Sequence, residues 1–111
     1  MDNEFDWEFY TGEDTVVEDY LKDDTRDQLL ELAEGHTDMI GASVAVERPA
    51  IRETPFIYEA RIVVYMRPDN VVGHEKGANP EAALRGALRA VERQIRSRRE
   101  KLAKPWERPR S

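Results

Sequence analysis

Residues 79–104, NPEAALRGALRAVERQIRSRREKLAK, carry the longest helical pattern in the sequence. Asn79 is a favourable N-cap, because its side-chain oxygen can accept a hydrogen bond from a free N–H of the first turn. Pro80 suits the first helical position, which needs no backbone donor. Apolar residues then recur on one face of a 3.6-residue period: Leu84, Leu88, Val91, Ile95 and Leu102. The pattern predicts an amphipathic helix that packs on a core and ends at Pro105.

A second stripe on the same helix is positively charged. It consists of Arg85, Arg89, Arg93 and Arg96, at spacings of four, four and three. Like charges four residues apart repel by about 0.2–0.5 kcal/mol per pair, so helix stability alone would not select this pattern. Most charge runs are simply solvated helix faces. Here residues 85–110 hold ten Lys/Arg and only three Asp/Glu, and this imbalance favours a surface that binds nucleic-acid phosphates.

RNA is a better candidate than DNA for this helix. Lys and Arg side chains contact phosphates without reading sequence, and structured RNA is recognised mainly through its shape and backbone. A helix that reads DNA would carry base-edge residues such as Asn or Gln, and only Gln94 qualifies.

The bulk composition places the chain among single-domain proteins. Its 111 residues suffice for one hydrophobic core, and they contain no cysteine. We find neither a signal-peptide pattern nor an apolar run near the roughly 20 residues of a membrane span, so we expect a soluble cytoplasmic protein. The net charge of −6 is unevenly distributed. Residues 1–54 hold 4 Lys/Arg against 16 Asp/Glu, and residues 55–111 hold 13 against 7.

The remaining elements follow from local periodicity. Alternating residues predict strands at 4–11, 39–47 and 56–67, and a short return strand at 71–76 follows a turn at Arg67-Pro68-Asp69-Asn70. In the second strand, Ile40, Ala42, Val44 and Val46 are predicted to face inward. Residues 15–34 predict a helix with an uneven signal. Asp24 or Thr25 could cap a fresh start, and Gly35 follows as the C′ glycine.

This order, β-α-β-β-β-α, predicts an α+β fold. Three consecutive strands form an antiparallel meander, the first strand pairs at an edge, and two helices cover one face of a four-stranded sheet. We expect one domain over residues 1–104 and a flexible basic tail over 105–111. The hydrophobic edge strand could also pair between chains to form an oligomer.

The sequence offers little for catalysis. His36 lies near Asp38 just after a predicted helix end, and His74 lies beside Glu75 on a short strand. Neither pair has a third ligand at a fixed spacing, so no metal site is predicted. The glycines do not match a phosphate-cradling loop. We therefore expect no enzyme activity, no cofactor and no small-molecule substrate.

Several segments together resemble the ribosome hibernation-promoting factor family, which includes the ribosome-associated inhibitor A proteins. These segments are YEARIVV at 58–64, PEAAL at 80–84, AVERQIR at 90–96 and RREKL at 98–102. The resemblance covers residues 39–104 well and the N-terminal part through element order. Long members of the family carry an additional ribosome-dimerising domain, so the chain is similar to a short form.

The resemblance implies a factor that occupies the small ribosomal subunit and stops translation, or protects idle ribosomes, in starved or resting cells. It implies that basic residues of both helices contact ribosomal RNA, a role that Arg85, Arg89, Arg93, Arg96, Arg99 and Lys101 can take. We predict that Arg98, Lys104 and Lys76 also bind RNA. The first helix departs from the lysine-rich family pattern, because it offers Lys22 and Arg26 among five acidic residues.

Two alternatives remain open at this level. The acidic first half could be a protein-interaction module that docks a basic protein partner. A double-stranded-RNA-binding module shares three strands and two helices, but the additional first strand disfavours it.

Overall fold

Four alternating segments form strands and two longer periodic segments form helices. A computed structural model describes residues 5–13, 15–48 and 57–103, with side chains described as far as residue 101. The elements in chain order are β1 (Asp6–Thr11), α1 (Asp19–Ala33), β2 (Met39–Glu47), β3 (Tyr58–Met66), β4 (Val71–Gly77) and α2 (Pro80–Ala103). The predicted order β-α-β-β-β-α is therefore confirmed.

The four strands form one mixed sheet in the order β1-β2-β3-β4. β1 lies at one edge and pairs parallel to β2, with Trp7 opposite Ala42. The β2–β3 and β3–β4 pairs are antiparallel. Since α1 links two parallel strands, it forms a crossover on one face, and α2 lies on the same face, packed mainly on β3 and β4. The fold is a two-layer α+β sandwich.

The core lies between the sheet and the helices. Its fully buried side chains come from β2, β3, β4, α1 and α2, the largest being Leu29, Ile62, Leu84, Ile95, Val44, Val46, Val64, Val71 and Val91. Trp7 and Phe9 of β1 are half-buried against this cluster. The alternation predicted from sequence sets the inward face of the strands, with one exception in β2.

The prediction that Ile40 faces inward is wrong. The register between β2 and β3 shifts between Met39 and Gly41, where the pairing is irregular. As a result Met39 is buried while Ile40 is 42 % exposed. A bulge of this kind interrupts the period of two, which sequence alternation cannot reveal.

α1 is a single helix rather than two. It begins after Glu18, which makes no side-chain cap hydrogen bond. Because the helix runs unbroken from Asp19 to Ala33, the predicted fresh start at Asp24 or Thr25 is wrong. Thr25 is instead buried and donates its hydroxyl to Leu21 O at 2.7 Å. Gly35 follows the helix end with φ +77°, as predicted for a C′ glycine.

α2 begins as its sequence predicts. Asn79 Oδ1 accepts a hydrogen bond from the Ala82 N–H at 2.7 Å and caps the first turn. Before it, the turn after β3 contains a cis Arg67–Pro68 bond, and Asn70 Oδ1 accepts from the Met66 N–H. The predicted tail and the loop at 49–56 lie outside the described residues.

Among the described residues, no helix is long and apolar enough to cross a membrane.

Candidate nucleic-acid interface

The arginines of α2 fall into two groups, those that are exposed without a partner and those that contact other parts of the fold. Three of them, Arg89, Arg93 and Arg96, are exposed and form no ion pair or hydrogen bond with another described residue. We refer to these three as the basic ridge. Because they lie away from the buried stripe that contains Val91 and Ile95, they point out from the helical layer. No carboxylate in the described part of the chain pairs with them, so their charge is available to an anionic partner.

Arg85 and Arg99 are instead engaged within the fold. Arg85 donates from Nε to Glu81 Oε2 at 3.0 Å and from Nη1 to Asp24 Oδ2 at 3.2 Å, which joins the beginnings of the two helices. The hydrogen bond to Glu81 raises the pKa of the Arg85 guanidinium further above its usual value. With two acidic partners, Arg85 is less available than the ridge for an external phosphate.

Arg99 joins α2 to the end of α1 and to Asp38, at the end of the helical layer away from Arg85. Its Nε and Nη2 donate to the two Asp38 oxygens at 2.8 and 2.7 Å, and its Nη1 donates to Leu32 O at 2.7 Å. The guanidinium thereby satisfies a carbonyl in the last turn of α1. Hydrogen bonds from Arg99 lower the pKa of Asp38 below its ordinary 3.8. This arrangement is a structural clamp, and it also occupies the carboxylate that could have paired with His36.

The other predicted cations are dispersed. Arg98 Nη1 donates to Asp69 O in the turn after β3. Lys76 lies on the opposite, open face of the sheet, where its Nζ is 3.7 Å from Glu59. Lys101 is exposed near the end of α2, and Lys104 lies outside the described residues. The structure therefore groups Lys101 with α2 and separates Lys76 from it.

Gln94 has an internal role that its sequence position does not indicate. Its Nε2 donates to Val72 O at 2.8 Å, on the free edge of β4. The contact covers a carbonyl of the edge strand. The sequence suggests Gln94 as a residue that could contact a base edge, but its side-chain amide is hydrogen-bonded within the fold.

An acidic stripe runs along α1 beside the basic ridge. Asp19, Asp23, Asp27 and Glu31 are spaced by four, all exposed, and none forms an ion pair with a described residue. Lys22, which lies among them, places its Nζ 5.6 Å from the centre of the Phe9 ring. The sequence reveals these acids but does not place them next to α2. Only the fold, in which α1 and α2 lie side by side on one face of the sheet, brings them together.

The histidines show no catalytic arrangement in the described part of the chain. His36 lines an open groove of about 430 Å³ at the end of α1. His74 Nε2 lies 3.6 Å from Glu59, which also contacts Lys76. No group of three metal-binding side chains occurs among the described residues.

Comparison with known proteins identifies the family. Residues 10–103 match the family described as Sigma 54 modulation protein / S30EA ribosomal protein. The chain belongs to this family of ribosome-associated factors. The predicted membership of the hibernation-promoting factor family is thereby confirmed.

Solved structures share the fold at low sequence identity. The N-terminal domain of Thermus thermophilus Protein Y superimposes with a TM-score of 0.61 at 19 % identity, covering 84 % of this chain and 93 % of that domain. A ribosomal subunit interface protein from Coxiella burnetii gives a TM-score of 0.66 at 9 % identity, covering 86 % and 99 %. None of the curated proteins compared with the chain is significantly similar to it.

Proposed function

We propose that the chain binds small-subunit ribosomal RNA through the basic ridge and Lys101, and that it inhibits translation or protects idle ribosomes under stress. The observation that carries the proposal is the exposure of Arg89, Arg93 and Arg96 without partners among the described residues, in a member of a ribosome-associated family. A guanidinium that is not paired within the fold can form charge-assisted, bidentate hydrogen bonds with phosphate oxygens.

The remaining predicted cations have a smaller part in this proposal. Arg85, Arg98 and Arg99 hold the helices and the turn after β3, so they orient the ridge rather than extend it. Lys76 faces the other side of the molecule and would require a second contact with RNA. Lys104 continues the basic series of α2 in sequence.

Cosedimentation with purified small ribosomal subunits tests the proposal. Arg89→Gln/Arg93→Gln removes two ridge charges. Because each charge is expected to neutralise one phosphate, the slope of log affinity against log salt should fall by about 1.4–1.8. Binding at low salt should weaken by at least about tenfold.

A matched control is Arg61→Gln/Arg67→Gln, which removes two exposed arginines outside α2, Arg61 on the open face of the sheet and Arg67 directly after β3. Both variants have the same net charge, so a non-specific electrostatic effect would weaken them equally. Circular dichroism must show both folded. If the ridge variant cosediments as the unmodified protein does, the proposed RNA-binding surface is wrong.

The second candidate is a protein-interaction module that binds a basic protein partner, and the exposed acidic stripe of α1 favours it. A pull-down from nuclease-treated extract distinguishes the two. Recovery of a basic protein that is absent with an Asp23→Asn/Asp27→Asn variant supports the module. Loss of all partners after nuclease treatment supports RNA.

A further inference from the structure

The acidic stripe and the basic ridge lie on the two helices of the same layer, α1 and α2. Arg85 contacts α1, and Arg89 and Arg96 follow it by four and eleven residues, so all three lie on the same side of α2. Asp24 contacts α2, and Asp27 and Glu31 follow it by three and seven residues. Each helix therefore presents a row of mainly one charge at the outer surface of the helical layer, negative on α1 and positive on α2. Glu92, seven residues after Arg85, is a carboxylate on the positive side of α2, between Arg89 and Arg96.

The two rows run in the same direction. Tyr20 donates to Glu81 at 3.5 Å and Asp24 meets Arg85 at 3.2 Å, which places the helix beginnings together. Arg99 reaches Leu32 O near both helix ends. α1 and α2 are consequently parallel, and the layer carries one negative and one positive row side by side. Apart from the Asp24–Arg85 pair, no ion pair among the described side chains joins the two rows.

Such a surface is complementary to a second copy of itself. Consider two copies whose helical layers face each other, related by a two-fold axis that lies between the layers and runs parallel to the helices. This axis preserves the direction along each helix and exchanges the two sides of the layer. It places the negative row of each copy over the positive row of the other. Both sets of contacts form at once, because an isologous interface uses the same patch twice.

We propose that the chain forms a reversible dimer through its helical layer, with the acidic stripe of each copy on the basic ridge of the other. The dimer covers the ridge, so self-association and RNA binding exclude each other; this regulatory consequence rests on the proposed function. A basic protein partner would satisfy only the acidic stripe and would leave the ridge exposed. A second copy satisfies both rows.

The size of the surface indicates a weak dimer. α1 has 15 residues and spans about 22 Å. Two helices about 10 Å apart over that length offer about 400–500 Å² per copy, below the roughly 800 Å² of a standard interface. Its outward residues are mostly charged, so the association depends on salt. These properties suit a reversible dimer that dissociates when RNA binds the basic ridge.

Sedimentation equilibrium of the full chain, free of nucleic acid, is the first measurement. At about 50 mM salt we expect a monomer–dimer equilibrium that shifts almost entirely to monomer at about 500 mM salt, where the Debye length falls from roughly 14 to 4 Å. A protein that stays monomeric at low salt and millimolar concentration would overturn the proposal. So would a dimer that high salt leaves intact.

Charge-exchange variants locate the interface. Arg89→Glu/Arg93→Glu/Arg96→Glu makes both rows negative, and Asp23→Lys/Asp27→Lys/Glu31→Lys makes both rows positive. Each variant alone should be monomeric at low salt. An equimolar mixture should form a heterodimer, because both sets of contacts are then complementary. If either variant still dimerises, or if the folded monomers do not associate on mixing, the proposed interface is wrong.

The result is separable from the RNA-binding proposal. The Lys variant of α1 keeps the basic ridge, so it should lose the dimer and still bind small subunits. If the Glu variant of α2 loses the dimer but cosediments normally, the dimer stands and RNA binding through the ridge fails. Finally, added ribosomal RNA should dissociate the unmodified dimer at low salt. Formation of a complex of RNA with intact dimer would refute mutual exclusion.

Discussion

Arginines of α2 that look alike in sequence have different roles in the fold. Arg96 and Arg99 are three residues apart, yet Arg96 is exposed without a described partner while Arg99 makes three hydrogen bonds to Asp38 and Leu32. The Arg99 side chain is 18 % exposed and that of Asp38 is 27 % exposed. Such a pair is partly desolvated, so its removal leaves a carboxylate and a helix-end carbonyl with fewer partners.

We expect Arg99→Ala to lower the free energy of unfolding by about 2–3 kcal/mol, since it removes a bidentate ion pair and a bond to a carbonyl of α1. Arg96→Ala removes the same atoms and the same charge, and it should change stability by less than about 0.5 kcal/mol. Urea unfolding of both variants measures the difference. Equal effects would show that the clamp does not stabilise the fold.

The same pair makes stability depend on acid. Hydrogen bonds from Arg99 lower the pKa of folded Asp38, so its stabilising contribution is complete above the ordinary pKa of 3.8 and is lost as pH falls through the lower folded value. Between neutral pH and the acid limit, the Arg99→Ala variant should therefore lose less stability than the unmodified protein. Unfolding curves at several pH values would show the two proteins converging in acid.

The sequence could predict the positive charge of α2 but could not sort its arginines. Their spacing defines a face of the helix, whereas Asp38 lies 61 residues from Arg99 along the chain. The partners of a side chain at that separation depend on how the helices are arranged on the sheet. Of the four arginines in the predicted stripe, only Arg89, Arg93 and Arg96 therefore keep the exposure that the spacing indicates.

At the scale of elements, the predicted strands and helices were largely confirmed, because all of them except the first helix have a clear period. The uneven part of α1 folds as a continuous helix, because Leu21, Leu29 and Leu32 share one buried face across the polar segment between them. Tertiary packing thus overrides a weak local signal. The bulge near Ile40 is the converse case, in which a strong alternation is interrupted by strand pairing.

The close approach of β4 to α2 depends on Gly73. A Cβ at this position would lie 2.7 Å from Val91 Cγ2 and would also collide with Ala87 O, in the middle of α2. Because the obstacle includes helix backbone, it cannot rotate away. We expect Gly73→Ala to destabilise the fold by about 2–3 kcal/mol, as overpacking of a core does.

Val72→Ala is the matched control, since Val72 is the adjacent residue of β4 and is 41 % exposed on the open face. It should cost at most about 1 kcal/mol, which is the range of β-propensity. Thermal unfolding of both variants makes the comparison. If Gly73→Ala is as stable as Val72→Ala, the helix does not pack this closely on the strand.

At the scale of the whole molecule, the position of the charges matters more than their sum. The net charge of −6 would argue against binding RNA. The helical layer, however, separates a negative row from a positive one, and the sheet's far face carries a mixture of both signs, including Glu47, Glu59 and Arg61. Net charge was visible in the sequence, but the adjacency of the rows was not. Because the acidic stripe lies on the helix next to the basic ridge, we expect it to repel a phosphate bound there.

Neutralising the acidic row should therefore strengthen RNA binding. For Asp23→Asn/Asp27→Asn/Glu31→Gln, we expect about three- to tenfold higher affinity for small subunits at about 0.1 M salt, because charges about 10 Å away act within one Debye length. The advantage should vanish at high salt. The control, Asp6→Asn/Glu8→Gln/Glu47→Gln, makes the same change of charge on the open sheet face. Cosedimentation, at protein concentrations too low for self-association, compares them. Equal gains in both variants would mean that net charge, rather than the row beside the ridge, limits binding.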